Sequence, residues 1–282
     1  MPTGLVVGVD LGGTRVRLAA SAAGWSRRVE ARAPSLDDLP GFLRRRWRQW
    51  RLSPRNVASL VVAAKGVWTP AERRREERRL RSLARRVKVI PDVEAAYVGA
   101  LGDGPGILIL AGTGSIVLGR NRRGRWARAG GLGPLLGDEG SAFWLGSLWL
   151  RITSRNTTRE EERLRKIARS PDAVARIAAI APRILGRARG GAGRKHQAAR
   201  EFVRGAQNIL AAHACLVARD LKLERPVPVS WAGSLMGNDF FRAGVLLALQ
   251  EQGLKARPTP PAVPAVEAAH AMAARLARGT KR

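Results

Sequence analysis

Apolar residues recur along this chain in short uninterrupted runs, separated by glycine-rich breaks and longer helical stretches. Leu5-Val6-Val7-Gly8-Val9-Asp10 is an apolar run closed by a carboxylate, and Arg15 to Ala20 alternates polar and apolar positions. The two read as paired strands joined at Leu11-Gly12-Gly13-Thr14, a hairpin and not a strand-to-helix crossover. Residues 36–51 carry Leu39, Phe42, Leu43, Trp47 and Trp50 at helical spacing. Leu60 to Ala64 predicts a buried strand ending at Lys65-Gly66, and 71–86 a charged helix. Val87 to Ile90 predicts a short strand that ends at Pro91-Asp92, and 93–101 a helix.

The breaker cluster Gly102-Asp103-Gly104-Pro105-Gly106 stops this pattern, which then restarts. Ile107 to Leu110 predicts a strand, Ala111-Gly112-Thr113-Gly114-Ser115 a turn, and Ile116 to Arg120 a second strand, with a further hairpin at Asn121 to Gly124 leading toward Trp126. The strand–glycine turn–strand unit of residues 5–20 thus recurs at 107–120, which predicts two similar α/β lobes. Beyond it come a glycine-rich loop at 129–137, a helix over 138–151 started by Asp138 as N-cap, and helices over 158–180 and 196–221. A flexible basic stretch, Arg187 to Lys195, is expected between the last two. Val227 to Trp231 predicts the last strand, running into Ala232-Gly233-Ser234, with a helix over 238–252. A proline-rich connector, Pro258 to Pro264, leads to a terminal helix over 265–278.

Composition narrows the classes without choosing among them. The 282 residues allow one large domain or two modest ones, and a hydrophobic fraction of 45% supports a core. No apolar run is long enough to predict a membrane span. Met1 to Gly4 leads straight into the first strand, so no signal peptide is expected, and a cytoplasmic protein is. The one cysteine, Cys215, excludes an internal disulfide and falls at an apolar helix position. The three histidines lack metal-ligand spacing, so no structural metal is expected. The tryptophans at 47, 50, 144 and 149 fall at helical intervals and read as packing. The formal charge of +29 invites nucleic acid as a partner. Only 7 of the 51 basic residues are lysines, however, they are spread over many segments, and no aromatic-interleaved RNA motif accompanies them. A solvated basic surface is therefore expected, and nucleic acid binding is not.

Five constellations carry candidate chemistry. Asp10 at a strand end can hold Mg²⁺ through water, while Gly12 and Gly13 let backbone N–H groups approach phosphate oxygens and Thr14 can donate its hydroxyl. Alone the segment could equally be an ordinary hairpin turn. Gly112, Thr113 and Gly114 offer the same chemistry at the matching place in the second half, and a polyphosphate explains the coincidence better than a structural repeat does. Asp92, at a strand end and helix start, is placed to act as a general base or to cap its helix. Gly130 to Ser141 is a dense glycine loop whose Asp138-Glu139 pair offers carboxylate acceptors to a polyol, or complements a helix dipole. Trp231 to Leu235 is a small-residue turn where Gly233 and Ser234, with Ala206 on the preceding helix, could admit a flat base; a plain strand-to-helix turn is the alternative.

Taken in this order, the motifs resemble those of the family that groups N-acetylglucosamine kinase with the BadF/BadG/BcrA/BcrD ATPases. Asp10–Thr14, Asp92 through Arg120 and Gly131–Trp144 are the most specific stretches. The resemblance implies an α/β fold of two ribonuclease H-like lobes of the actin/Hsp70/sugar-kinase type with a nucleotide cleft between them. The expected N-terminal lobe covers 1–102 plus 266–282, and the C-terminal lobe 103–265. It implies an ATP-dependent sugar kinase acting on N-acetylglucosamine, glucosamine or a related hexose, with Mg²⁺. The alternative is a BadF-type ATPase that couples hydrolysis to a protein partner. Asp92 would be the catalytic base. Asp10, Gly12, Gly13, Thr14, Gly112, Thr113 and Gly114 would hold phosphates and metal, Ala206, Gly233 and Ser234 the adenine, and Ser115, Gly131 and Asp138 the sugar. A homodimer is the expected assembly. Lys65 stands before Gly66 where the family usually has a small residue, and a single cysteine does not suit the family members that bridge a dimer with an iron–sulfur cluster.

Overall fold

The computed structural model describes residues 4–153 and 157–279; Met1–Thr3 and residues 280–282 of the expected N-terminal lobe lie outside them. The chain divides into two compact units, Met1–Gly102 with Ala262–Arg282, and Asp103–Pro261.

The first unit is a five-stranded sheet in the order β3-β2-β1-β4-β5. β1 (Leu5–Leu11), β2 (Arg15–Ala22) and β3 (Trp25–Arg32) form an antiparallel meander, and β4 (Val57–Ala64) and β5 (Arg86–Pro91) run parallel to β1. β1 and β4 are almost wholly buried, as their mostly apolar runs require of strands covered on both faces. One face is covered by α1 (Leu39–Gln49), whose Leu39, Phe42, Leu43 and Trp47 enter the core. Trp47 stacks on Trp50 at 5.9 Å and donates its indole N–H to the Leu83 carbonyl at 3.0 Å. That bond satisfies the one polar atom of a buried ring. α2 (Pro70–Leu80) opens with a capping box between Thr69 and Glu72, which contributes about 1 kcal/mol. It ends six residues before the expected limit because Arg86 already belongs to β5. α3 (Asp92–Leu101) follows β5 directly, and α10 (Ala265–Arg278) returns to cover the other face. Ser59 of β4 is wholly buried and donates to the Ala273 carbonyl of α10 at 2.7 Å.

The second unit repeats this plan. β6 (Gly106–Ala111), β7 (Ser115–Arg120) and β8 (Trp126–Gly130) are antiparallel, and β9 (Val227–Ala232) and β10 (Ala256–Pro258) run parallel to β6, giving β10-β9-β6-β7-β8. Counted from the first strand of each sheet, the two orders are identical. The helices are α4 (Ala142–Thr153), α5 (Thr158–Ala168), α6 (Ala173–Ala178), α7 (Ala181–Arg189), α8 (Arg194–Asp220) and α9 (Asp239–Glu251). The core sits where α4, α7, α8 and α9 meet β6 and β9. Cys215 is partly buried against it, and Trp149 meets Phe202 edge to face at 6.5 Å.

Several expectations need correction, among them the helix over 158–180, which is broken into α5 and α6. β3 and β10 complete the two sheets where the pattern predicted no strand. Arg187 to Arg189 belong to α7 and are not a flexible stretch, because Ile184, Leu185 and Ala188 bury one helical face. Asp138 does not cap α4: the helix starts at Ala142, and the Ser141 hydroxyl accepts from the Trp144 N–H at 3.1 Å. No helix of the described residues is long and apolar enough to cross a membrane.

Candidate functional site

In the first unit the chemistry gathers at the C-terminal ends of the parallel strands, the edge where such sheets bind ligands. Leu11, Ala64 and Pro91 stand side by side in register across β1, β4 and β5. The next residues of the three strands are Gly12, Lys65 and Asp92, so turn, ammonium and carboxylate form one row. The turn is closed by Gly12 N–H donating to the Arg15 carbonyl at 3.0 Å, and Lys65 N–H ties the end of β4 to Leu11 at 3.1 Å. Gly12, Gly13 and Thr14 follow as the link from β1 to β2, with Gly13 and Thr14 exposed.

Asp10 is 9% exposed, and Arg17, opposite it on β2, reaches its Oδ2 at 3.4 Å. Burial raises the Asp10 pKa, and Arg17 opposes that rise without cancelling it. Asp92 is the first residue of α3 and its Oδ1 accepts the Val93 N–H at 2.9 Å. Its pKa is also raised, chiefly by burial and further by the charge of Asp10, while the Val93 N–H and the Lys65 charge pull it down. Two carboxylates that repel across one strand-end suit a divalent cation, whose charge would relieve both. Mg²⁺ needs only one or two protein carboxylates when phosphates and water supply the rest, so the donor set fits.

In the second unit the turn Gly112-Thr113-Gly114 joins β6 to β7 at the corresponding place. Gly112 N–H donates to the Gly114 carbonyl, and the first N–H groups of α4 donate to the turn from behind: Ala142 to Gly112 at 2.9 Å and Phe143 to Thr113 at 3.2 Å. Gly233 and Ser234, just past β9, lie alongside; the Ser234 hydroxyl is 3.5 Å from where a Cβ on Gly112 would be. Thr113 and Ser234 line a cavity of about 400 Å³ whose far wall is α6 and α7, including Ala178, Leu185 and Arg189, with Asn238 at the start of α9. Arg189 is exposed at its rim, donates to Asn238 Oδ1 at 3.3 Å and lies 5.4 Å from the Phe240 ring.

Ala206 is fully buried in α8 and does not line this cavity; its carbonyl packs under Gly140. Ser115 is also buried, its hydroxyl donating to the Glu139 carbonyl at 2.7 Å. Gly131, with φ 72°, lies against Ile116 and opens a loop on which Leu132, Leu135 and Leu136 are exposed. Asp138 has φ 59°, an uncommon left-handed conformation for a residue with a side chain. Its carboxylate accepts the Ser115 N–H at 3.3 Å and stands 2.7 Å from the place of a Cβ on Gly114. The Asp138 carboxylate thus clips the leucine loop to the turn at Ser115, over the bare Gly114.

Sequence reasoning gave no role to Lys65 or to the α6–α7 wall. The register Leu11–Ala64–Pro91 exposes the first only once the strands are aligned. The second carried a signal, the helical spacing of Ile184, Leu185 and Ala188.

The chain is similar to proteins of known sequence or structure. An N-acetylmuramic acid/N-acetylglucosamine kinase of Clostridium acetobutylicum is 46% identical over 61 residues, 22% of this chain. The match spans only 20% of that relative's length. The structure of a candidate N-acetylglucosamine kinase of Porphyromonas gingivalis superposes with a TM-score of 0.73 at 19% identity, covering 97% of this chain and 99% of that one. A hexokinase of Schistosoma mansoni superposes with a TM-score of 0.62 at 13% identity, over 97% of this chain and 86% of the other. The fold is that of the actin/Hsp70/sugar-kinase superfold. The sequence pattern of the BadF/BadG/BcrA/BcrD ATPase family matches residues 7–271, and the chain belongs to that family.

Proposed function

We propose that this chain is an ATP-dependent sugar kinase whose acceptor is N-acetylglucosamine, glucosamine or a related hexose. The observation that carries the reading is the recurrence of one glycine–threonine turn, Gly12–Thr14 and Gly112–Gly114, between the first two strands of two sheets with the same order. A polyphosphate held by both turns accounts for the recurrence; a packed sheet does not require it. The sugar half of the reading rests on Asp92 and on the names of the relatives. Asp92 takes the proton of the attacking sugar hydroxyl, whose oxygen forms the new bond to the γ-phosphorus. The bridging oxygen leaves with its electron pair on ADP. Mg²⁺, held through water by Asp10, supplies charge neutralisation on the phosphates when bound. Turnover then comes mainly from positioning, as it does wherever the phosphoryl group itself does most of the chemistry.

The cavity beside Thr113 and Ser234 is the proposed base site. Its α6–α7 wall is mostly apolar, and Arg189 offers a planar cation at the rim on which an aromatic base can stack. Arg189→Ala is expected to raise the KM for ATP about tenfold while kcat and the KM for sugar stay near wild type. Steady-state kinetics in each substrate check the split, and an unchanged KM for ATP removes the base from this cavity.

The experiment that tests the function is a panel of hexoses, amino sugars and N-acetylated sugars in a coupled ADP-release assay. One of them should stimulate ADP release well above the rate with nucleotide alone. Stimulation by none would sink the kinase reading in favour of an ATPase serving a protein partner.

A further inference from the structure

Lys65 is the one charged residue at the row of strand ends that the proposed mechanism leaves unused. It follows β4, the strand between β1 and β5, so the backbone itself sets it between the turn after β1 and the carboxylate after β5. Its side chain is exposed and leans over the turn: Nζ lies 3.4 Å, and Cδ 3.8 Å, from where a Cβ on Gly13 would be. Gly13 is thus the place where a cation meets exposed turn backbone without a side chain, a combination suited to phosphate oxygens. The competing cations nearby are already engaged. Arg17 of β2 is shared between Asp10 and Glu30, Arg15 is held by Glu30, and Arg73 of α2 meets Glu94 of α3 at 3.4 Å. Arg28 of β3 is bound to Glu267 of α10 at 2.8 Å. The charge that Lys65 directs at Asp92 is opposed only by that of Asp10.

We propose that Lys65 is a catalytic residue of this chain, binding the transferring phosphoryl group of the nucleoside triphosphate with its ammonium beside the Gly12–Thr14 turn. It gains and loses no proton and forms no covalent bond. The new oxygen–phosphorus bond comes from the sugar hydroxyl, its proton goes to Asp92, and the broken bond's electron pair leaves on the nucleoside diphosphate. Lys65 offsets negative charge on the phosphoryl oxygens in flight, and that charge is largest in the transition state.

The inference rests on the kinase reading, and its test separates the two. Lys65→Met should fold with an unchanged melting temperature, because the side chain is exposed and fills no core space. Its kcat should fall about 100-fold, with the KM for sugar unchanged, and Lys65→Arg should recover to within about tenfold of wild type. Direct titration with ATP and AMP gives a second arm that needs no sugar. Lys65→Met should lose ATP affinity at least tenfold and keep that for AMP. A kcat within threefold of wild type, or equal losses for ATP and AMP, overturns the assignment. If wild-type protein phosphorylates no sugar, the kinase reading falls, and the ATP-against-AMP comparison still decides for or against Lys65.

Discussion

Asp92→Asn is expected to remove sugar phosphorylation, with kcat lowered about 1,000-fold or more and nucleotide affinity little changed. Asparagine fits the same space, and its carbonyl oxygen can still accept the Val93 N–H, so the first turn of α3 keeps its geometry. It cannot take a proton from the attacking hydroxyl. The loss therefore reports chemistry and not folding. The same residue predicts the pH profile. A general base works only when ionised, and burial together with Asp10 raises the Asp92 pKa above the ordinary carboxylate value of about 3.9. Wild-type kcat should then fall as pH drops through that raised value, and the residual activity of Asp92→Asn should show no such limb. Nucleotide titration, ADP release and a pH series on both proteins check the pair of statements. Near-normal turnover by the variant would remove Asp92 as the base.

Much of this arrangement was legible in the sequence because the parts that hold it are local. β1, β4, β6 and β9 are short, mostly apolar runs, and the two glycine–threonine turns sit between strands close in sequence. What escaped was set by partners far along the chain. β3 shows three consecutive exposed residues, Ser26, Arg27 and Arg28, so its alternation is faint, and its pairing with β2 makes it a strand. β10 is three residues long and ends in Pro258; it is a strand only because β9 lies parallel beside it. Asp138 carried the composition of a helix cap, but a left-handed φ and a bond to the Ser115 N–H engage it elsewhere. Ala206 was small enough to border a base, yet a small residue on a helix borders a neighbouring helix just as readily, and α8 packs against both α7 and α9. Lys65 was visible as a departure from the family pattern, but only the register of β1, β4 and β5 shows what it stands beside.

Gly233→Ala is expected to cost about 3 kcal/mol of stability, the sum of a left-handed backbone penalty of about 1 kcal/mol and about 2 kcal/mol of overpacking. Gly233 has φ 90°, and a Cβ there would stand 2.4 Å from the Ala111 carbonyl oxygen and 2.6 Å from its carbon. Both are backbone atoms at the end of β6, so no side chain can swing aside. That carbonyl accepts the N–H groups of Leu235 at 3.0 Å and Met236 at 3.2 Å, the bonds that lock the segment after β9 onto the second glycine–threonine turn. Pushing the two backbones apart lengthens both bonds and shifts Gly112, whose own amide would be 3.0 Å from the new methyl. Nucleotide affinity should therefore fall at least tenfold together with the melting temperature. Gly253→Ala supplies the control: its φ is 79°, and nothing lies within 4 Å of the place of its Cβ. It should carry the backbone penalty alone, about 1 kcal/mol, and leave nucleotide binding intact. Chemical denaturation and nucleotide titration of the two variants side by side measure the difference, and equal behaviour would mean that the close approach of Gly233 to Ala111 holds nothing in place.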